Sequence, residues 1–285
     1  MQGIKVAACA ATLFFSGVVL AAEKSLVESG EYLSNAGGCV TCHTADDEGA
    51  SPLAGGLALV SPFGTFYSPN ITPDRETGIG AWSDDDFVNA LWEGLSPEGD
   101  HYFPAFPYPA YTGISRADAV AIKAYLFSLE PVRKTNLDHD LPIYMSSRFA
   151  AGIWKSRYFD AGRFEADAEK DEQWNRGAYL VRHLGHCGEC HTPRGKLGAL
   201  QGDHELAGNP EFTEEISVPN ITPHTENGIG RWSASDIEYF LDIGMMPDGD
   251  FTGGEMGAVI EDNTSHLTRE DRLAIVAYLK SLPPQ

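Results

Sequence analysis

The chain has 285 residues, with 41 acids against 20 bases and a formal net charge of −21. A surface of that sign repels nucleic acid and anionic lipid headgroups; it either steers a basic partner in a salt-dependent way or simply keeps the protein solvated. The length allows two domains with separate cores.

Residues 1–21 read as a signal peptide. Lys5 supplies a short positive region, residues 6–20 are apolar and small, and Val19 and Ala21 occupy the −3 and −1 positions of a cleavage site. About 15 apolar residues is short for a membrane span. Cys9 precedes most of that run, which argues against lipidation. Export to the periplasm is expected, and loss of Lys5 takes the charge to about −22.

A short helical segment from Gly30 to Asn35 leads into Cys39-Val40-Thr41-Cys42-His43. A second, from Gly177 to His183, leads into Cys187-Gly188-Glu189-Cys190-His191. Cys-x-x-Cys-His is the attachment sequence of a c-type haem. Two thiols one helical turn apart form thioethers with the two vinyl groups of one porphyrin, and the next His becomes the proximal iron ligand. All cysteines expected in the mature chain lie in these motifs. Cys39, Cys42, Cys187 and Cys190 are therefore assigned to two covalent haem c groups, with His43 and His191 on the irons. A single Cys₄ zinc site would leave both adjoining histidines unexplained. A thioredoxin-like pair needs a βαβ context that the pattern lacks.

The repeat runs beyond the motifs. Ser68-Pro69-Asn70-Ile71-Thr72-Pro73 returns as Val218-Pro219-Asn220-Ile221-Thr222-Pro223, and Gly78-Ile79-Gly80-Ala81-Trp82-Ser83 as Gly228-Ile229-Gly230-Arg231-Trp232-Ser233. Agreement at several separated places indicates duplication of a whole domain. Ser83 with Asp86 and Ser233 with Asp236 predict capped helices around 87–92 and 237–241. Ser115 with Asp118, and Thr268 with Asp271, predict the starts of each domain's last helix. Ile122, Tyr125, Leu126 and Leu129 fall on one face, as do Ile275, Tyr278, Leu279 and Leu282, and read as core. Pro131 and Pro283 end these helices. The organisation expected is all-α: a cytochrome c domain over 22–131, an intervening segment over 132–175 and a second domain over 176–285, with long loops. The intervening segment is aromatic and basic, then acidic. Its alternating aromatics predict packing across both domains; a face for a partner subunit is the other reading.

The words His101-Tyr102-Phe103-Pro104-Ala105-Phe106-Pro107-Tyr108, Trp174-Asn175-Arg176-Gly177-Ala178-Tyr179-Leu180-Val181 and Gly185-His186-Cys187-Gly188-Glu189-Cys190-His191-Thr192-Pro193-Arg194, with the two repeated words, carry a resemblance. Over nearly the whole mature chain the sequence resembles the cytochrome c subunits of membrane-associated alcohol, aldehyde and gluconate dehydrogenases. The resemblance implies a string of small helical cytochrome c domains. It also implies electrons passing from a dehydrogenase subunit through the haems to a quinone, cytochrome or terminal oxidase. Family members commonly have three haem domains, and this sequence shows two.

The distal ligands differ between domains. The family's methionine position matches Met256 in domain 2; Met245 and Met246 read as packing and turn. In domain 1 the family word Pro-Ala-Met-Pro-Tyr is replaced by Pro104-Ala105-Phe106-Pro107-Tyr108, and phenylalanine cannot bind iron. Met145, His101 or an open position remain for haem 1; Lys123 is expected to be exposed. A carbonyl near Pro193 is expected to hold the His191 imidazole, with Ala45 at the matching place in domain 1, and Arg194 is a candidate for a propionate. His139, His183, His186, His204 and His224 are scattered and read as structural.

The expected function is a periplasmic dihaem relay, an electron-transfer subunit rather than an enzyme, with a dehydrogenase as donor. It would join a membrane complex through that partner. The alternative is a haem enzyme of the peroxidase or thiosulfate-oxidising kind, using the atypical haem 1.

Overall fold

A computed structural model describes residues 24–143, 145–212 and 216–285. The signal peptide and Cys9 lie outside the described residues.

Each half opens with a helix that crosses its own last helix at a glycine. Helix α1 (24–36) carries Gly30, and α2 (Cys39–His43) is the first haem motif. Helix α3 spans Asp84–Glu93, α4 Tyr108–Tyr111, and α5, the last of the first half, Arg116–Ser128. A Cβ on Gly30 would stand 1.9 Å from the Ala121 carbonyl oxygen of α5. After α6 (Arg148–Tyr158) in the intervening segment, α7 (Glu172–Tyr179) runs through a π-turn at Leu180–Leu184 to the second motif, α8 (Gly188–His191). Helices α9 (Ala234–Ile243), α10 (Gly254–Asp262) and α11 (Arg269–Ser281) complete the second half. There the crossing repeats: a Cβ on Gly177 would stand 2.0 Å from the Ala274 carbonyl oxygen. Only a residue without a side chain lets two helix backbones approach so closely.

Ser83 and Ser233 form complete capping boxes with Asp86 and Asp236, as their spacing predicts. Ser115 and Thr268 also cap, accepting from the backbone N–H of Asp118 and Asp271. Their aspartates, however, turn to the other half. The Tyr32 hydroxyl donates to Asp271 at 2.6 Å and accepts the Thr268 N–H at 3.1 Å. The Tyr179 hydroxyl donates to Asp118 and accepts the Ser115 N–H. Tyr32 and Tyr179 hold equivalent places in the repeat, so the halves exchange the same contact reciprocally, as in an isologous dimer.

The expectation of two separate cores does not hold. Leu33, Leu91 and Ile122 of the first half share one buried cluster with Tyr179, Leu184 and Ile275 of the second. A domain of this size hides only part of its apolar surface alone, and the helix faces left over pair across the pseudo-two-fold. A second difference is a small antiparallel hairpin, β1 (Ala58–Ser61) with β2 (Gly64–Tyr67), in an otherwise helical fold. Four-residue strands between turn residues are too short for periodicity to reveal.

Residues of the intervening segment bond to both halves. Val132 and Asn136 accept from and pair with Asn70, the Trp154 indole donates to the Leu197 carbonyl at 2.8 Å, and Phe164 meets the rings of Tyr179 and His183.

Asp271 ties this interface to pH. Arg176 grips it at 2.8 and 2.6 Å. Burial alone would raise its carboxyl, but the Arg176 and Tyr32 hydrogen bonds outweigh burial and hold it below the usual range. A depressed carboxyl stabilises the fold above its unfolded pKa and loses that contribution as pH falls through the folded value. Asp271→Asn is therefore expected to be less stable than the parent at pH 7, with the gap closing below about pH 4. Urea unfolding across pH checks this; a gap independent of pH would refute it.

Candidate haem sites

Cys39 and Cys42 lie three residues apart on one face of α2, and Cys187, the N-cap of α8, lies three residues before Cys190. Each motif's His is then fixed from outside the motif. His43 Nδ1 lies 2.7 Å from the Pro69 carbonyl oxygen, and His191 Nδ1 lies 2.8 Å from that of Pro219. A carbonyl only accepts, so Nδ1 carries the proton in both rings and the Nε2 lone pair is left for iron. Burial lowers the pKa of both imidazoles, outweighing the opposite effect of the carbonyl. Both rings are held neutral, the form that binds metal.

The carbonyl near Pro193 is thus not the one that orients His191; it accepts from the Gln201 N–H. The orienting carbonyl comes from the repeated Pro-Asn-Ile-Thr-Pro word. Asn70 Oδ1 accepts from the Thr72 N–H at 2.9 Å, and Asn220 Oδ1 from the Thr222 N–H at 2.7 Å. This Asx turn sets the preceding proline carbonyl. The signal that could have found it is the word's identity in both copies.

No disulfide joins any two of the four thiols. Burial pushes Cys39 up, Cys42 and Cys190 to about 11, and Cys187 to about 12. Among the described residues no three Cys, His or carboxylate side chains converge on a metal-sized site, so the motifs do not merge into one zinc centre. Two thiols and one imidazole with a free Nε2, presented twice, fit covalent haem.

The two motifs touch. His186, just before Cys187, has φ 38°, where the repeat has Gly38 at φ 65°. Its Nε2 lies 3.3 Å from the Gly37 carbonyl oxygen of the first motif, which also accepts from the Tyr111 hydroxyl at 2.8 Å. Thr41 in turn donates to Asn263, at the end of α10, at 2.8 Å. Sequence reasoning missed this contact, because nothing local marks His186 as reaching across the repeat.

Met256 sits in the first turn of α10, half-buried. Its neighbour Glu255 is close enough to Cys42 and Cys190 for its charge to add to the rise of both thiols. The backbone of Met246 closes a turn with Asp250, and Met245 pairs with Phe251. In domain 1, Phe106 packs between the rings of Tyr102 and Tyr111 at 5.7 and 5.8 Å. His101 lies against Gly152 of α6, and its Nδ1 is buried with no partner among the described residues. Met145 is half-buried in a turn closed on Pro142. Lys123 is not exposed as expected: its side chain is 12% accessible, bonded to Asp84 at 2.7 Å and set over the Phe127 ring. Arg194 is taken up by Glu189, at 2.5 Å, and by the Gly198 carbonyl.

The cytochrome c family model matches residues 27–130 and again 175–283. The chain belongs to the cytochrome c family. This cytochrome is 44% identical to a diheme cytochrome c-type protein of Cereibacter sphaeroides, over 89% of its own length and 85% of the relative's. It is 41% identical to a gluconate 2-dehydrogenase cytochrome c subunit of Pantoea cypripedii and 37% identical to an alcohol dehydrogenase (quinone) cytochrome c subunit of Gluconobacter oxydans. The alignments cover 92% and 99% of the cytochrome but 60% of each of those two relatives. As a cytochrome c it binds haem c, and its two matched domains coincide with the two motifs.

Proposed function

We propose that the chain is a periplasmic dihaem cytochrome c that carries electrons from a dehydrogenase subunit to a downstream quinone, cytochrome or oxidase. Cys39 and Cys42 hold one haem and Cys187 and Cys190 the other. His43 and His191 are the proximal ligands, and Met256 is the distal ligand of haem 2. Haem supplies the one-electron couple; the chain supplies orientation and insulation. The observation that carries this reading is the matched pair His43–Pro69 and His191–Pro219, which prepares two imidazoles identically for iron. A soft thioether opposite such an imidazole raises the reduction potential.

The oxidised protein, mixed with a gluconate, alcohol or aldehyde dehydrogenase catalytic subunit and its substrate, is expected to become fully ferrous at two haems per chain. Met256→Ala is expected to abolish the thioether–iron absorption band and leave both haems attached. No reduction by any of these donors, together with turnover of peroxide or thiosulfate, would replace the relay by the haem-enzyme reading. Phe106 is the residue that motivates that second reading, since it brings an apolar ring where the family has a ligand.

A further inference from the structure

The repeat carries its own reference for the sixth position of haem 1. After α3 and after α9 the chain makes the same turn. Gly94 and Gly244 end those helices in the left-handed region. The Ser96 N–H donates to the Asp100 carbonyl at 2.9 Å, and the Met246 N–H to the Asp250 carbonyl at 2.8 Å. Each turn closes on its glycine: the Tyr102 N–H donates to the Gly94 carbonyl and the Thr252 N–H to the Gly244 carbonyl, both at 2.9 Å. Phe106 stands four residues beyond Tyr102, and Met256 four beyond Thr252. The first half therefore has a phenyl ring where the second half has a thioether.

Phe106 belongs to the surroundings of the first motif. It and Cys39 both pack against the main core. Its ring centroid is 5.8 Å from that of Tyr111, whose hydroxyl reaches the Gly37 carbonyl just ahead of Cys39. The side chains that could replace the missing thioether are committed elsewhere. His101 turns its ring edge to Gly152 of α6, and Met145 follows Leu141 of the separate cluster built on Phe66, Phe103 and Ala151. His139 accepts the Tyr67 N–H at 3.1 Å and meets the rings of Phe66 and Phe103. Lys123 is bonded to Asp84 and Lys134 to the Gly55 carbonyl, each at 2.7 Å. Lys155 lies over the rings of Tyr108 and Phe159.

We propose that haem 1 keeps an open sixth position on the Phe106 side, and that this position takes a small neutral diatomic such as carbon monoxide. Distal polarity and hydrogen-bond donors decide what a haem binds. Phe106 presents hydrocarbon, the single Tyr111 proton is spent on Gly37, and the Tyr108 ring turns away to Gly94 and Phe159. Carbon monoxide needs no donor to bind ferrous iron. An anion such as azide entering an apolar site would lose its hydration without a hydrogen bond in return. Phe106 is half-buried beside exposed Ala105, which leaves a way in from solvent. The inference rests on the haem attachment and the Met256 ligation proposed above.

The intact haem-loaded protein would be reduced without oxygen and titrated with carbon monoxide, followed by absorbance. Half of the haem is expected to take up the gas, and the thioether–iron band of the oxidised protein to report the other half. Phe106→Met, which copies the second half at nearly constant volume, is expected to gain a second thioether–iron band. It is also expected to lower carbon monoxide affinity at least about tenfold, because the new ligand must first leave. Azide added to the oxidised protein is expected to leave the spectrum unchanged. No uptake of carbon monoxide by the parent, unchanged uptake in Phe106→Met, or an azide-induced shift would overturn the proposal. So would conversion of half the haem to high spin by Met145→Ala or His101→Ala. In those cases loss of the thioether band in Met256→Ala would leave the relay standing; a Met256→Ala variant that keeps the band would overturn both.

Discussion

Arg272→Ala is expected to destabilise the protein by about 3 kcal/mol, because it leaves the buried Glu238 carboxylate only the longer 3.9 Å contact with the exposed Arg269. Arg272 on α11 and Glu238 on α9 are both less than a tenth accessible. The guanidinium donates to Glu238 at 3.2 Å and to the Leu267 carbonyl at 2.6 Å, and it lies 3.1 Å from Asp242. The duplication offers its own control. The matching positions in the first half are Ala119 and Val88, both fully buried, so at these two positions the same helix pair closes without charge. Copying the first half into the second, with Glu238→Val and Arg272→Ala together, is expected to regain at least about 2 kcal/mol over the single variant, since an apolar pair replaces an ionic one at little cost. Urea unfolding measures both. A double variant no more stable than Arg272→Ala would show that the two side chains are not one unit.

The contrast between those helix pairs marks where sequence reading stops. The Cys-x-x-Cys-His motifs, the capping serines and the core stripes were legible because each depends on residues close together in the chain. The motif needs a fixed local spacing, and a cap needs three residues. What was not legible depends on approach across the repeat. The spacing of Ser115 to Asp118 and Thr268 to Asp271 marked the caps correctly. It could not say that the aspartates would serve Tyr179 and Tyr32 of the opposite half. The carbonyls that orient His43 and His191 come from 26 and 28 residues away.

The largest effect on the haem sites is expected from a residue that touches neither. Gly177→Val would place a Cβ 2.0 Å from the Ala274 carbonyl oxygen and 2.8 Å from Tyr278 Cβ. Neither can yield locally: one is helix backbone, and Tyr278 is fully buried. Helices α7 and α11 must then separate, at an expected cost of about 3 kcal/mol or more, the upper end of overpacking penalties. The damage should not stay in the second half. Helix α7 continues through Leu180–Leu184 into the second motif, and Leu180, Val181 and Leu184 belong to the core shared with the first half. Gly30→Val, 1.9 Å from the Ala121 carbonyl, makes the same intrusion in the first half. Each substitution is therefore expected to lower a single unfolding transition followed by haem absorbance and by circular dichroism. Two separated transitions, with only the substituted half affected, would show that the common core does not couple the domains. A shared core that holds both motifs in one rigid frame keeps the spacing between them fixed.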